Sequence, residues 1–405
     1  MRTIPLLFVS DSPEMQTGLA RISRDLATLA SRLPQFRVGF LGSGGTGSRQ
    51  LPFPQYTVQW NISSGAGRWG EWTLPQVWAD FAGRESGVVF TVWDASRLHW
   101  FARPQYLPRG ELRAFLEAGH FVRWGYFPFD ATGPGDRLTT QATDTLLGYD
   151  RILTYTKWAD GLVRRSLGEE EARRRALTWL PHGFNFETFK PWPKAEGRKL
   201  MGPRVHDDDF LIGVVGTNQP RKDWGLVAAA CAALRPKVGR RLRLWWHTDV
   251  LDRHWNIAAL LVDYGLQAIT LVSTAQVNDT ELSMRYSACD LTLHPGLGEG
   301  FCYPMVESLA CGTPTLHGDY AGGADILRTC GLERWLIPPV AWRLDPAGNC
   351  VRPVFEPNDW VEAILRVREE QPTVEECRAS VAFLDWANLW DGCWKRWLLD
   401  GVGQL

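Results

Sequence analysis

Short apolar runs of strand length recur along this chain, each followed by a stretch of helical spacing, and the alternation stops once and then starts again. IPLLFVS (4–10) precedes TGLARISRDLATLASRL (17–33), where Leu19, Ile22, Leu26, Leu29 and Leu33 fall on one helical face. FRVGFLG, GVVFTVWD (87–94), HFVRWGYFPFD (120–130), DRILTYT (150–156) and LTWLP (177–181) read as further buried strands, and the Gly/Trp-rich stretch 43–85 as irregular. KPWPKAEGRKLMGPRVHDDD (190–209), rich in Pro, Gly and charge, reads as a break. FLIGVVG, RLRLWWHT, AITLVS, DLTLHP and TPTLHG then restart the pattern. Such alternation implies a parallel sheet covered on both faces, and 405 residues are too many for one ordinary core. The expectation is an α/β chain with two Rossmann-like, doubly wound domains, 1–190 and 210–375, joined by a linker at 191–209. The tail 376–405 is expected to be an amphipathic helix packing back on the N-terminal domain, with Phe383, Trp386, Leu389, Trp390, Cys393 and Trp397 on its apolar side. Ligands in such sheets bind at the carboxyl ends of strands.

Composition narrows the function classes. A net charge of −1 gives no global field to recruit nucleic acid or an acidic membrane. No apolar run approaches the roughly 20 residues that cross a bilayer, and the start reads as a first strand, not a signal peptide. The eight cysteines all lie after residue 230 and form no CxxC pair, which speaks against metal or disulfide frameworks and for a reducing cytoplasm. Most of the 21 tryptophans should be core, but Trp60, Trp69, Trp72 and Trp78 in the irregular stretch could form a stacking surface.

Two motifs are set aside. GSGGTG (42–47) has the G-x-G-x-x-G spacing, but a dinucleotide fingerprint must open a helix and SRQLPFPQY follows instead; a flexible loop at the cleft is expected. The triple aspartate 207–209 could hold a divalent cation but reads better as a solvated turn. GTNQPRKDWGLVAAA (216–230) is more informative. Its strand ends at Gly216 and its helix begins near Asp223, leaving Arg221 and Lys222 at the junction. Helix-terminal N–H groups plus two cations suit a diphosphate; two exposed basic side chains in a surface loop would give the same string.

HPGLGEGFCYPMVESLACGTP (294–314) carries the strongest signal. A buried strand ends at Pro295, GLGEG turns, and a helix follows with Pro304 near its first position. Gly298 and Gly300 permit positive φ and close approach to a ligand. Glu299 projects from the turn, and Glu307 lies one turn below Tyr303 on the same helix face. Two carboxylates at different depths, with backbone donors of Phe301, Cys302 and Tyr303 between them, suit the paired hydroxyls of sugars and phosphate oxygens.

These residues resemble the signature of the large retaining GT-B glycosyltransferase family known as E-x7-E, or glycosyl transferases group 1: Glu299-Gly300-Phe301, Pro304, Glu307-Ser308, Ala310-Cys311-Gly312 and Pro314. YAGGADIL (320–327), PHGFNFETFKP (181–191) and TGLARISRDLA (17–27) are similar to its other segments, so the likeness spans nearly the whole chain. The resemblance implies a GT-B fold and transfer of a sugar from a nucleotide-sugar donor, most commonly UDP-linked, to an acceptor hydroxyl with retention of configuration. It implies that Glu299 binds donor-sugar hydroxyls, Glu307 the ribose, and Arg221 and Lys222 the diphosphate together with Gly300, Phe301, Cys302 and Tyr303. Gly18 would approach the phosphates, and 273–279 the base. The chain departs from the pattern at Thr217, where an arginine is usual. On the N-terminal side, Asp130 in YFPFD, and then His120, are the candidates near the reacting carbon. No cofactor beyond the nucleotide-sugar co-substrate and no metal are expected, because Lys222 and Arg221 would neutralise the diphosphate.

No enzyme nucleophile stands out, which favours same-face displacement assisted by the leaving phosphate. The acceptor could be a saccharide, a lipid-linked glycan or a hydroxylated DNA base of phage type. The basic runs VRRSLGEEEARRR and RPKVGRRLR could meet phosphates or be solvated helix faces. A sugar-nucleotide epimerase or phosphorylase on the same fold, and a non-catalytic nucleotide- or glycan-binding protein, are the competing readings.

Overall fold

The structure is a computed structural model that describes residues 3–249, 254–274, 277–346 and 348–403. It divides into two compact units, 1–183 with 387–405, and 184–386.

The first unit is built on a seven-stranded sheet: β1 (Ile4–Asp11), β2 (Phe36–Ser43), β3 (Gln55–Thr57), β4 (Gly87–Thr91), β5 (Phe121–Phe127), β6 (Arg151–Thr154) and β7 (Thr178–Trp179), in spatial order β3-β2-β1-β4-β5-β6-β7. Every pairing is parallel. Helices cover both faces, so the strands are apolar on both sides; Leu6, Leu7 and Phe8 are wholly buried. The order reverses between β1 and β4, which opens a crevice at their carboxyl ends. Stretch 43–85 is less irregular than expected: it holds β3 and the helix Leu74–Phe81, with Pro75 in its first turn. Trp78 from that helix is core, whereas Trp72 is exposed and Trp60 and Trp69 are half-buried.

Of the tail, residues from 387 on belong to this unit and 376–386 to the second, and its buried face matches the expected one in part. A π-helical turn at Trp390–Trp394 separates the helices Trp386–Leu389 and Lys395–Val402. That wider turn shifts the helical phase, so Trp394, Leu398 and Gly401 join the expected Leu389 and Trp397 in the core; Phe383, ahead of the turn, is exposed. Trp397 packs on Trp124 and Phe90, with ring centroids 5.2 and 5.7 Å away, and the Arg151 guanidinium lies 4.1 Å over its ring.

The second unit carries a six-stranded parallel sheet: β8 (Phe210–Val215), β9 (Leu242–His247), β10 (Thr270–Ser273), β11 (Leu291–His294), β12 (Thr315–Gly318) and β13 (Leu336–Ile337), in order β10-β9-β8-β11-β12-β13. A hairpin, β14 (Ala341–Asp345) with β15 (Cys350–Val354), is added. The reversal falls between β8 and β11, the two strands whose following loops hold the charged motifs. Residues 191–209 contain the helix Lys194–Leu200, whose Arg198 is buried and bonds the carbonyls of Ala288 and Asp209 and, at 3.0 Å, Asp290. Asp209 is likewise buried, not solvated: it accepts from the His206 amide. Among the described residues, no three His, Cys, Asp or Glu side chains cluster to hold a metal, and no helix is long and apolar enough to cross a membrane.

Candidate functional site

The loops after β8 and β11 meet at the reversal of the second sheet. After β8 the chain makes a 3-10 turn at Pro220–Lys222, and Asp223, in the left-handed region (φ +43°), caps the helix Trp224–Val238 by accepting from Leu226 N. After β11 it turns through Gly296–Gly300 into the helix Tyr303–Ala310. The Leu297 amide donates to the Arg221 carbonyl at 2.6 Å, which joins the loops directly.

This register brings the predicted charges together. Glu299 is buried and its Oε1 receives both Lys222 Nζ and Arg221 Nη1, the latter at 2.9 Å; Arg221 also donates to the Gly298 carbonyl at 2.9 Å. Burial alone would raise the Glu299 carboxyl, but Arg221 and Lys222 outweigh it and hold the group well below the usual carboxylate range. Glu299 is therefore an anion whose Oε1 is shared by two cations.

The positive φ expected at Gly298 is present at +148°, but the second such position is Cys302 (φ +75°, ψ +70°), not Gly300. A non-glycine residue held there marks a constrained turn. No side chain caps the helix that follows, and its N-terminus, the positive end of its dipole, comes directly after the Glu299 loop. Phe301, Cys302 and Tyr303 are buried, with the Phe301 and Tyr303 rings 5.4 Å apart. Burial, then Glu299, pushes the Cys302 thiol up to about 12, so it stays protonated and is no nucleophile at neutral pH.

Glu307 is buried one turn further along, where the Tyr286 hydroxyl donates to its Oε2 at 3.1 Å. Burial, then Glu307, drives the Tyr286 phenol well above its ordinary value, which keeps its proton in that bond. Tyr286 carries no sequence signal; its role appears only when the helix Asp279–Ala288 packs on Tyr303–Ala310. Asn218 was equally silent: fully buried, it donates to the carbonyls of Asp249 and Trp255 at 2.9 and 2.7 Å and so braces the loop that presents Arg221. Lys222, Glu299, Cys302, Gly296 and His294 line a narrow recess at the ends of β8 and β11. Burial first, then His317 and Lys222, pushes His294 well below its usual value, so this wall is neutral.

The segment 320–327 supports the site from behind. Gly323 N donates to the Glu299 carbonyl at 3.2 Å, and a Cβ on Gly322 would sit 2.1 Å from the Gly300 carbonyl oxygen.

The remaining candidates lie elsewhere. Thr217 is exposed. Of 273–279, Ala275 and Gln276 lie outside the described residues. In the first unit Gly18 is exposed at the first turn of the helix Gly18–Ala30, behind its cap Thr17. Asp130 is half-buried three residues beyond the carboxyl end of β5. His120 is discarded: it precedes β5, at the amino edge of the sheet, where its carbonyl receives the Gly87 amide.

Residues 203–379 match the family model described as Glycosyl transferases group 1. In sequence the chain is 29% identical over 226 residues to a D-inositol 3-phosphate glycosyltransferase of Saccharomonospora viridis, covering 54% of this chain and 47% of that one. It is 33% identical over 181 residues to a GDP-mannose-dependent alpha-mannosyltransferase of Mycolicibacterium smegmatis, covering 41% and 48%. The chain thus spans about half the length of the curated relatives it matches. Its structure superposes on sucrose-phosphate synthase from Thermosynechococcus elongatus with a TM-score of 0.73 at 16% identity, covering 98% of this chain and 100% of that one.

The fold is GT-B.

Within this GT-B chain, the group 1 match contains Arg221, Lys222, Glu299 and Glu307 together.

Proposed function

We propose that this protein is a retaining glycosyltransferase that moves a sugar from a nucleotide-sugar donor to an acceptor hydroxyl without a metal. The observation that carries this is Glu299 held between Lys222 and Arg221 at the reversal of the second sheet. A donor diphosphate is a stronger attractor for those cations than one carboxylate. As they turn to it, Glu299 becomes free to accept hydrogen bonds from the sugar hydroxyls, and Glu307 to accept from the ribose. During transfer the bond from the anomeric carbon to the phosphate oxygen breaks. The electron pair leaves with the diphosphate, where the cations and the helix Tyr303–Ala310 stabilise it as a preorganised electrostatic effect. The acceptor hydroxyl attacks the same face and gives its proton to the departing phosphate. Cys302 is protonated, and no other side chain stands as a nucleophile in this scheme.

A saccharide is the acceptor class the molecule favours over DNA. Several arginines of its basic runs are paired with acids: Arg164 with Asp160 and Glu169, Arg175 with Glu171, and Arg241 with Asp208. The donor base is UDP first, with GDP beside it because one relative is named for GDP-mannose.

The test is a transfer assay with UDP- and GDP-sugars, a saccharide panel and excess chelator, followed by proton NMR of the product. Release of nucleoside diphosphate with a product of unchanged anomeric configuration, undiminished by chelator, is expected. Inverted product, a chelator-sensitive rate, or turnover that needs inorganic phosphate in place of an acceptor would overturn the corresponding part.

A further inference from the structure

The Gly-rich loop set aside as a dinucleotide motif does bind an anion, and the anion is the chain's own. Glu14 lies in the loop after β1, and its partners lie in the loop after β2, the strand beside β1 in the sheet. The amide N–H of Thr46 donates to Glu14 Oε2 at 2.7 Å, and those of Ser48 and Arg49 to Oε1, the latter at 3.0 Å. The hydroxyls of Thr46 and Ser48 add bonds of 3.1 and 2.7 Å. Gly44 and Gly47 take φ of +86° and +75°, which turns successive amides inward, and a Cβ at Gly45 would sit 1.9 Å from Ser12 Oγ and 2.8 Å from Glu14 Oε2. Converging amides of this kind form an anion-binding nest. The Thr46 amide, first among these donors, holds the Glu14 carboxyl down at about 2. The guanidiniums of Arg24 and Arg49 both reach the Pro13 carbonyl, at 3.2 and 3.3 Å, adding positive charge beside the nest.

Five donors converge on one carboxylate, and they stand at the carboxyl ends of β1 and β2, the edge of a parallel sheet at which ligands bind. We propose that residues 44–49 form a binding site for a phosphate-class anion, with Glu14 as a built-in occupant that the ligand displaces. The anion is a phosphate carried by the acceptor. Its donors and its occupant all belong to the first unit, so the proposal stands or falls without the Glu299 site.

The experiment compares the full-length wild type with Glu14→Ala, titrated with inorganic phosphate, and follows tryptic cleavage after Arg49. Vacating the nest should tighten phosphate binding at least tenfold and expose Arg49 to trypsin, and phosphate should restore protection in the variant. Equal phosphate affinity in both proteins, or cleavage that phosphate does not suppress, would show that Glu14 only clips the loop and would overturn the proposal. Two further titrations separate the sources. A tenfold gain for a nucleoside diphosphate in Glu14→Ala would make the nest part of the donor site and overturn the assignment. A gain confined to a sugar phosphate, measured with nucleoside diphosphate saturating, assigns the anion to the acceptor. A gain for neither would contradict a role in substrate binding.

Discussion

Glu299 carries the largest local consequence of the fold, because removing it strands two cations. Glu299→Gln leaves Lys222 and Arg221 facing a neutral amide and should cost about 2 kcal/mol of stability, less than for a fully buried pair because Arg221 is partly exposed. Denaturant unfolding measures this, and added nucleoside diphosphate should recover more stability in the variant than in wild type. The pH dependence has a fixed sign. The folded carboxyl is depressed below its unfolded value, so its contribution is complete above roughly pH 5 and fades as pH falls through the acid range. The stability gap between wild type and Glu299→Gln should therefore narrow below about pH 4.5; a gap that widens there would contradict the ion pairing. These charges were legible because Arg221, Lys222 and Glu299 sit in loops right after apolar strands. Tyr286 and Asn218 were not legible, since each acts on a partner that only tertiary packing brings near. Glu14 was hidden for the same reason: its donors lie more than 30 residues on.

At the scale of elements, the site loop is shaped from behind by the start of the helix Ala321–Thr329. Gly322→Ala would force its methyl against the Gly300 carbonyl, a contact too close to exist unrelaxed. Moving that backbone should cost about 1–3 kcal/mol and displace Glu299. The measurable outcome is a lower melting temperature together with weakened nucleotide binding; binding at wild-type strength would mean the loop is not set by this contact. The sequence marks the Gly-Gly pair but not its reason, which is the approach of one backbone to another. Elements with a clean period were legible throughout. Among those missed, β3 and the helix Leu74–Phe81 lie among Gly, Pro and Trp, where short segments carry no readable period. The tail was legible as helix but only partly in phase, because a π-helical turn leaves no simple mark in the residue pattern.

At the scale of the molecule, the first unit is completed by residues from the far end of the chain. Trp397→Ala should cost about 3–5 kcal/mol, as deletion of a buried aromatic does, and loss of 387–403 should unfold the unit that β1–β7 build. Calorimetry that finds the truncated chain as stable as the whole would refute this. The central claim is that Arg221, Lys222, Glu299 and Glu307 form a donor site, and ligand-dependent melting tests it most directly. Wild type, Glu307→Ala and Lys222→Ala are each melted with UDP, GDP and ADP, and each shift is taken against that protein's own ligand-free value. One nucleoside diphosphate at a hundred times its dissociation constant should stabilise wild type by roughly 2.7 kcal/mol, with the shift lost in Glu307→Ala and reduced in Lys222→Ala. No shift with any nucleotide, or a shift that survives both substitutions, would contradict the account.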